Sequence, residues 1–587
     1  MLFALIILLL MASQDASSHE CRKEIFCLGN LLHEVQMAAI YPDSKTFVDM
    51  KLKYPPHVTL KHFDDFLNQT KKTISRSKLE KFVSEHFEDV GSEFETWYPP
   101  DWHGNPAIFN KIIDPKMKLF AKRLHSMWKY LGRKIKEDVH VNPDLYSMVY
   151  VPNAVIVPGG RFREFYYWDS YWIIRGLLNS EMFNTVKGML ANFLYMVEQY
   201  GLVPNGGRVY YTGRSQPPML IPMIYDYVQA TGDLDFVGEH LSTMEEEYAF
   251  WLTNRTVKIK KDRATYSLFR FNDETKGPRP ESYREDHNAA HLMGRQEEKE
   301  AYYAEMKAAA ESGRDFSSRW FIFNASNQGD LFDTKVRYIV PVDLNALMHM
   351  NARMISGFCS DLGYKNKAAY YKRKARDLLN AIQKVLWHED LGIWLDWDLL
   401  NGKRRNYFYP SNLAPLWTGS FPHNDDEKLA TQVLQYLEAN KVDAYPGGIP
   451  SSFEVSGEQW DFPNIWPPLQ DMIITGLNNL ESGKAREYAR NHAFRWVYTM
   501  YRGYMDTRAM YEKYDATVSG APGGGGEYTN QIGFGWTNGI ALDMLNKYGD
   551  QLLPPPENFP SMKERPFLSL RCKFITIIVT LITFLNC

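Results

Sequence analysis

Between residues 30 and 550, apolar residues recur at spacings of three and four. The segment 180–200 is the clearest case, with Met182, Val186, Met189, Leu190, Phe193 and Met196 on one helical face. The same period predicts helices near 217–231, 236–252, 342–361, 366–387, 426–440, 467–479, 484–503 and 536–547. Strict alternation is scarce, and residues 392–398 are the best hairpin candidate. Loops are short, and no Pro/Gly/Ser-rich linker or low-complexity run breaks the series. The pattern predicts one large all-α domain over residues 30–550. A toroid of paired helices closes such a series without leaving an apolar face bare. A solenoid would require a fixed-period repeat, and none is present.

The two ends read differently. Leu2 to Met11 are almost wholly apolar, and Ala16-Ser17-Ser18 suits a cleavage site, which predicts a signal peptide over residues 1–18. Cys21 and Cys27 are placed to close a small loop in an oxidising compartment, whereas Cys359 lies in a helical segment and reads as a buried thiol. Sequons at Asn68, Asn254 and Asn324 agree with secretion. Residues 551–573 read as a linker. The apolar tail 574–587 is short for a membrane span. It resembles the hydrophobic tail of a GPI signal. GPI anchoring, a short peptide anchor and a plain secreted form remain open, all within the secretory pathway. Oligomeric state is not legible.

Composition narrows the chemistry. Net charge is −3, which gives no electrostatic footprint for nucleic acid. Aromatic residues reach 14%, enough to fill a core and also to stack on sugar rings. No zinc-type Cys/His spacing, phosphate loop or G-x-S-x-G elbow occurs, so no metal or cofactor is expected.

Chemistry-bearing residues gather instead in five loops. Residues 158–171 (PGGRFREFYYWDSY) hold Arg161, Trp168 and Asp169, although Asp169 also suits a helix N-cap. Asn205 follows Pro204, and Arg214, Ser215 and Gln216 precede Pro217; all are fixed hydrogen-bonding groups, and Ser215 equally suits a cap. Arg279-Pro280-Glu281 forms the third loop, which alone reads as a surface salt bridge. The fourth places Asp315 after Gly313 and among aromatics, where a carboxyl can keep its proton. The fifth runs from Glu512 through four glycines to Glu527 and Trp536. Carboxylates, arginines and indole faces without a metal or nucleophile motif point to glycoside chemistry, which needs two carboxyl groups across the scissile bond.

At this point four motifs in order resemble the trehalases of glycoside hydrolase family 37. They are residues 158–171, ESG-x-DFSSRW at 311–320, QWDFPNIWPP at 459–468, and the series EKYD, GGGGEY and GFGWTNG between 512 and 539. The resemblance implies an (α/α)6 toroid, a six-hairpin glycosidase barrel. It implies hydrolysis of α,α-trehalose to two glucose molecules with inversion. It also implies Asp315 as general acid and Glu512 as general base, with Glu527 the nearest rival for the base role. Substrate-binding positions carried over are Arg161, Trp168, Asp169, Asn205, Arg214, Ser215, Gln216, Arg279, Pro280, Glu281, Gly313 and Glu527. Two positions depart from the family pattern. Arg314 replaces the usual Trp before the acid, where a cation would favour the ionised carboxyl and oppose an acid role. Ile465 stands where a small residue is usual. A sugar-binding homologue without turnover and a glycosidase for another α-glucoside are the alternative readings.

Overall fold

The computed structural model describes residues 21–70 and 74–552. The signal peptide, most of the linker and the apolar tail lie outside the described residues. Among the described residues, twelve helices build a double ring. They are α1 (Pro115–Leu131), α2 (Asp169–Asn179), α3 (Phe183–Tyr200), α4 (Leu220–Thr231), α5 (Leu234–Asn254), α6 (Val342–Asp361), α7 (Lys365–Ala381), α8 (Ala414–Thr418), α9 (Asp426–Ala439), α10 (Pro467–Asn479), α11 (Gly483–Thr507) and α12 (Gly535–Tyr548).

Sequence separates the two rings. Each even-numbered helix opens with a continuous run of buried residues, and α12 is buried from Gly535 to Leu545 except at Asp543. The odd-numbered helices bury one face. In α7 only Tyr371, Ala375, Leu378 and Ala381 are covered, a helical stripe. Each even helix packs on the next, and α12 returns to α2, so the inner ring closes. The outer helix α1 packs on α12 and completes the (α/α)6 barrel. Capping marks several starts: Asp114, Asp233, Asp425 and Ser482 each accept an amide from the first turn of the helix they precede.

The periodicity placed nine of these helices within a few residues of their observed bounds. It did not single out α1, α2 or the five-residue α8. The hairpin expected at 392–398 is two separate pairings. Ile393–Trp394 pairs with Trp387–His388, while Trp397–Asp398 pairs with Lys403–Arg404 and Ile339–Val340. The longest hairpin, Thr256–Lys261 with Ala264–Phe269, is a further pairing outside the segments singled out by sequence, with Val257, Ile259, Tyr266 and Leu268 on one face.

Residues ahead of the barrel form a helical layer with its own core, which includes Tyr166, Tyr210 and Tyr211 from barrel loops. A buried charge knot fastens this layer down. Lys45 contacts Glu164 at 2.7 Å, Arg208 reaches both Glu93 and Asp49, and Tyr210 donates to Asp49 at 2.6 Å. Cys21 and Cys27 are bridged, and Cys359 is a buried free thiol. Asn68, Asn254 and Asn324 are all exposed. Among the described residues, no helix is long and apolar enough to cross a membrane.

Candidate active site

The loops that enter α2, α4, α6, α10 and α12 meet at one mouth of the barrel and line a single cavity. Asp315 and Glu512 both open into it, with Arg161, Trp168, Asp169, Asn205, Arg214, Gln216, Arg279, Glu281, Gly313 and Glu527. Ser215 and Pro280 are not among the lining residues. Ser215 donates its hydroxyl to Val203 O at 2.6 Å and its amide to Glu311, so it braces the loop from behind. Pro280 begins the short turn that carries Arg279 and Glu281 inward, and neither of those is a surface residue.

Charge is arranged in pairs around the wall. Arg279 grips Asp286 behind the wall at 2.7 Å and Glu527 at 2.7 Å, and stands 4.0 Å from the Asp315 carboxyl. Arg214 pairs with Glu281, and Arg161 is held by Asp43 of the N-terminal layer at 2.6 Å. Arg214 Nε and Glu281 Oε2 are buried without a protein hydrogen-bond partner. Asn205 spends its amide on the Ser215 and Ala310 carbonyls, and Gln216 accepts the Trp168 amide at 3.0 Å. Both therefore shape loops as well as face the cavity. Asp169 is the first residue of α2 and faces the cavity; its side chain does not cap the helix.

Burial pushes the Asp315 carboxyl up to about 7, with Arg279 opposing and Glu527 reinforcing. This holds although 30% of its side-chain surface stays open to the cavity. Burial also raises Glu512, but Lys513, the Tyr528 hydroxyl and the Gln531 amide pull it back. Asp169 is pushed up to about 8 by burial and then by the Glu512 charge. The site thus holds carboxyls of unequal acidity in one enclosure, the condition for acid and base work at one pH.

Gly313 shows why the acid loop needs its glycine. Its φ is +69°, and an added Cβ would sit 2.8 Å from Trp168 Cε2. The indole therefore lies directly on the backbone beside Asp315. Arg314 turns away from the cavity. It pairs with Asp343, which also takes Arg319, and burial lowers its guanidinium to about 10 against the Asp343 charge. Its expected electrostatic conflict with Asp315 is thereby relieved. Ile465 is fully buried in a short pairing opposite Tyr514, where its methyls fill core space.

Sequence reasoning passed over several lining residues, among them Phe162, Tyr166, Tyr211, Trp466, Tyr528, Phe534 and Trp536. All are aromatics, and all but Tyr211 lie inside the motifs, so their type was visible but their orientation was not. Trp460, left unassigned by sequence, lines the cavity and stacks on Trp466 at 3.8 Å. Asp461 instead accepts from Ser317, Ser318, Ser452 and Ser456, which makes it a loop anchor.

A family sequence model described as Trehalase matches residues 39–549. The chain belongs to the trehalase family. It is 51% identical to the trehalase of Apis mellifera over 549 residues, covering 94% of this chain and 88% of that one. It is 47% identical to the trehalase of Oryctolagus cuniculus, covering 92% and 93%. Among solved structures, neutral trehalase Nth1 from Saccharomyces cerevisiae superposes with a TM-score of 0.54 at 22% identity, over 68% of this chain and 76% of that one. That likeness concerns the trehalase fold, an (α/α)6 barrel.

Proposed function

We propose that this protein hydrolyses α,α-trehalose to two glucose molecules by an inverting mechanism. Asp315 protonates the oxygen that links the sugars. Glu512 takes a proton from the water that attacks the opposite face of the ring. The observation that carries this reading is that both carboxyls open into one aromatic-walled cavity, with Asp315 raised to about 7 by burial. A carboxyl that still holds its proton near neutrality can serve as general acid. Arg161, Arg214, Arg279 and Glu281 are the hydroxyl-binding groups of this reading, and Trp168 and Trp460 the sugar platforms. The placement of Arg314 against Asp343 favours turnover over a binding-only homologue.

The catalytic unit of the proposal is residues 30–550. It is preceded by a cleaved signal peptide over 1–18 and followed by a linker and a hydrophobic tail, so the enzyme is secreted or tethered at the cell surface. Release from cells by a phosphatidylinositol-specific phospholipase separates a GPI anchor from a peptide anchor.

The test is glucose release from trehalose by the purified protein, beside Asp315→Asn and Glu512→Gln. Both variants are expected to lose at least about a hundredfold in kcat, the scale of one general acid or base. Survival of Glu512→Gln with loss in Glu527→Gln would move the base role to Glu527. No turnover by a folded parent, with trehalose still bound, would leave a binding protein.

A further inference from the structure

The segment after the four glycines sends two consecutive side chains to opposite walls. Glu527 goes to Arg279 at 2.7 Å and Ser282 at 3.2 Å. Tyr528 donates its hydroxyl to Glu512 Oε1 at 2.8 Å. The other carboxylate oxygen meets only the Gln531 amide, at 3.4 Å, so the phenol makes the shorter of the two hydrogen bonds. Gln531 belongs to the same segment, so both donors to this carboxylate come from one loop. The Tyr528 ring is itself clamped. Arg161 lies 5.1 Å and Lys513 5.4 Å from its centroid, and Phe162 packs edge-on at 5.4 Å. Meanwhile the backbone of Gly524, Gly525 and Gly526 is exposed, with Gly525 and Gly526 at φ +76° and +82°. The loop therefore presents a solvent-facing glycine edge and an inward-facing donor edge.

We propose that Tyr528 is a positioning residue for the base: docking of the glycine loop sets its hydroxyl on Glu512 and fixes the carboxylate toward the attacking water. This rests on Glu512 being the base. Without the phenol, one oxygen loses its short donor, and the carboxyl is free to rotate and to take a proton. Several groups face Glu512. Lys513 is its chain neighbour, Arg161 comes from the 158–168 loop, Asp169 from the start of α2, and Tyr528 and the Gln531 amide from the glycine loop. The donors and cations favour the ionised form, whereas burial and Asp169 oppose it. The phenol stays a donor throughout, because burial and the Glu512 and Asp315 charges raise it well above its ordinary range.

Tyr528→Phe keeps the ring and its cation contacts and deletes only the hydroxyl. Its kcat on trehalose is expected to fall about tenfold or more, with KM changed less than about threefold. The acid limb of its kcat profile is expected to move up by about one pH unit. A fluorinated tyrosine at the same position is a stronger donor and moves that limb down, an opposite sign that loss of packing does not produce. A parent-like kcat in Tyr528→Phe, or a reduced kcat with an unmoved limb, overturns the proposal. If Tyr528→Phe does not fold, the fluorinated protein decides alone, and a limb at the parent position overturns it. An active Glu512→Gln would instead sink the base assignment. An inactive Glu512→Gln beside a parent-like Tyr528→Phe sinks only this inference.

Discussion

At the scale of single residues, the site is set by what burial does to charge. The acid must hold its proton to donate it, and Asp315 loses that proton above about 7. Activity is therefore expected to fall on the alkaline side of neutrality, and to fall again in acid as Glu512 protonates. A kcat profile between pH 4 and 9 checks both limbs, and Asp315→Asn must abolish activity across it. Arg314 offers a control. Removing it leaves Asp343 buried with only Arg319, so Arg314→Ala is expected to cost stability, about 3–5 kcal/mol if the pair behaves as a broken buried ion pair. Its alkaline limb is expected to stay near that of the parent, because the guanidinium is already neutralised by Asp343. Urea unfolding and the same pH profile separate the two effects. Gly313→Ala combines a left-handed backbone with a clash on Trp168 and is expected to lose about 1–3 kcal/mol. It should weaken sugar binding as well, since the indole must shift.

At the scale of elements, the cavity is shared property. Arg161 sits in a barrel loop, but its geometry is held by Asp43 from the N-terminal layer, and the two form a bidentate pair at 2.6 and 2.9 Å. Asp43→Ala is expected to raise KM about tenfold with a smaller effect on kcat, as loss of one charge-assisted contact would. Steady-state kinetics on trehalose test it. Legibility followed the same division. Helices such as α3 and α10 were readable because one face or one flank carries a clear apolar period. The inner helix α2 was not, because its first turn, Asp169 to Tyr171, falls inside the 158–171 segment that reads as a loop. The site's composition was visible in its motifs, including both catalytic carboxyls of the proposal. Its layering was not: Ser215 and Pro280 sit in the same loops as true wall residues, and only the turn of the backbone sends them behind the wall. Tyr528 stands beside Glu527 in the sequence, yet nothing in the spacing tells that the two point to opposite walls.

At the scale of the molecule, the barrel is sealed by parts far apart in the chain. α12 packs between α2, α10 and α1, and Ile113 donates to Gly549 O at 3.1 Å. Removing residues 535–552 would open the inner ring and strip the cavity of Trp536. That deletion is expected to prevent folding altogether, with loss of protease resistance along the whole barrel, instead of trimming one edge. The ring also has an indole lining: Trp168, Trp460, Trp466 and Trp536 face the cavity, and Trp172 stands edge-on to Trp168 at 5.3 Å and parallel to Trp417 at 6.3 Å. These chromophores sit where a sugar would displace water. The protein therefore carries its own optical probe, and the emission of an Asp315→Asn variant should shift to the blue as trehalose fills the cavity, which makes occupancy measurable without turnover and without a label.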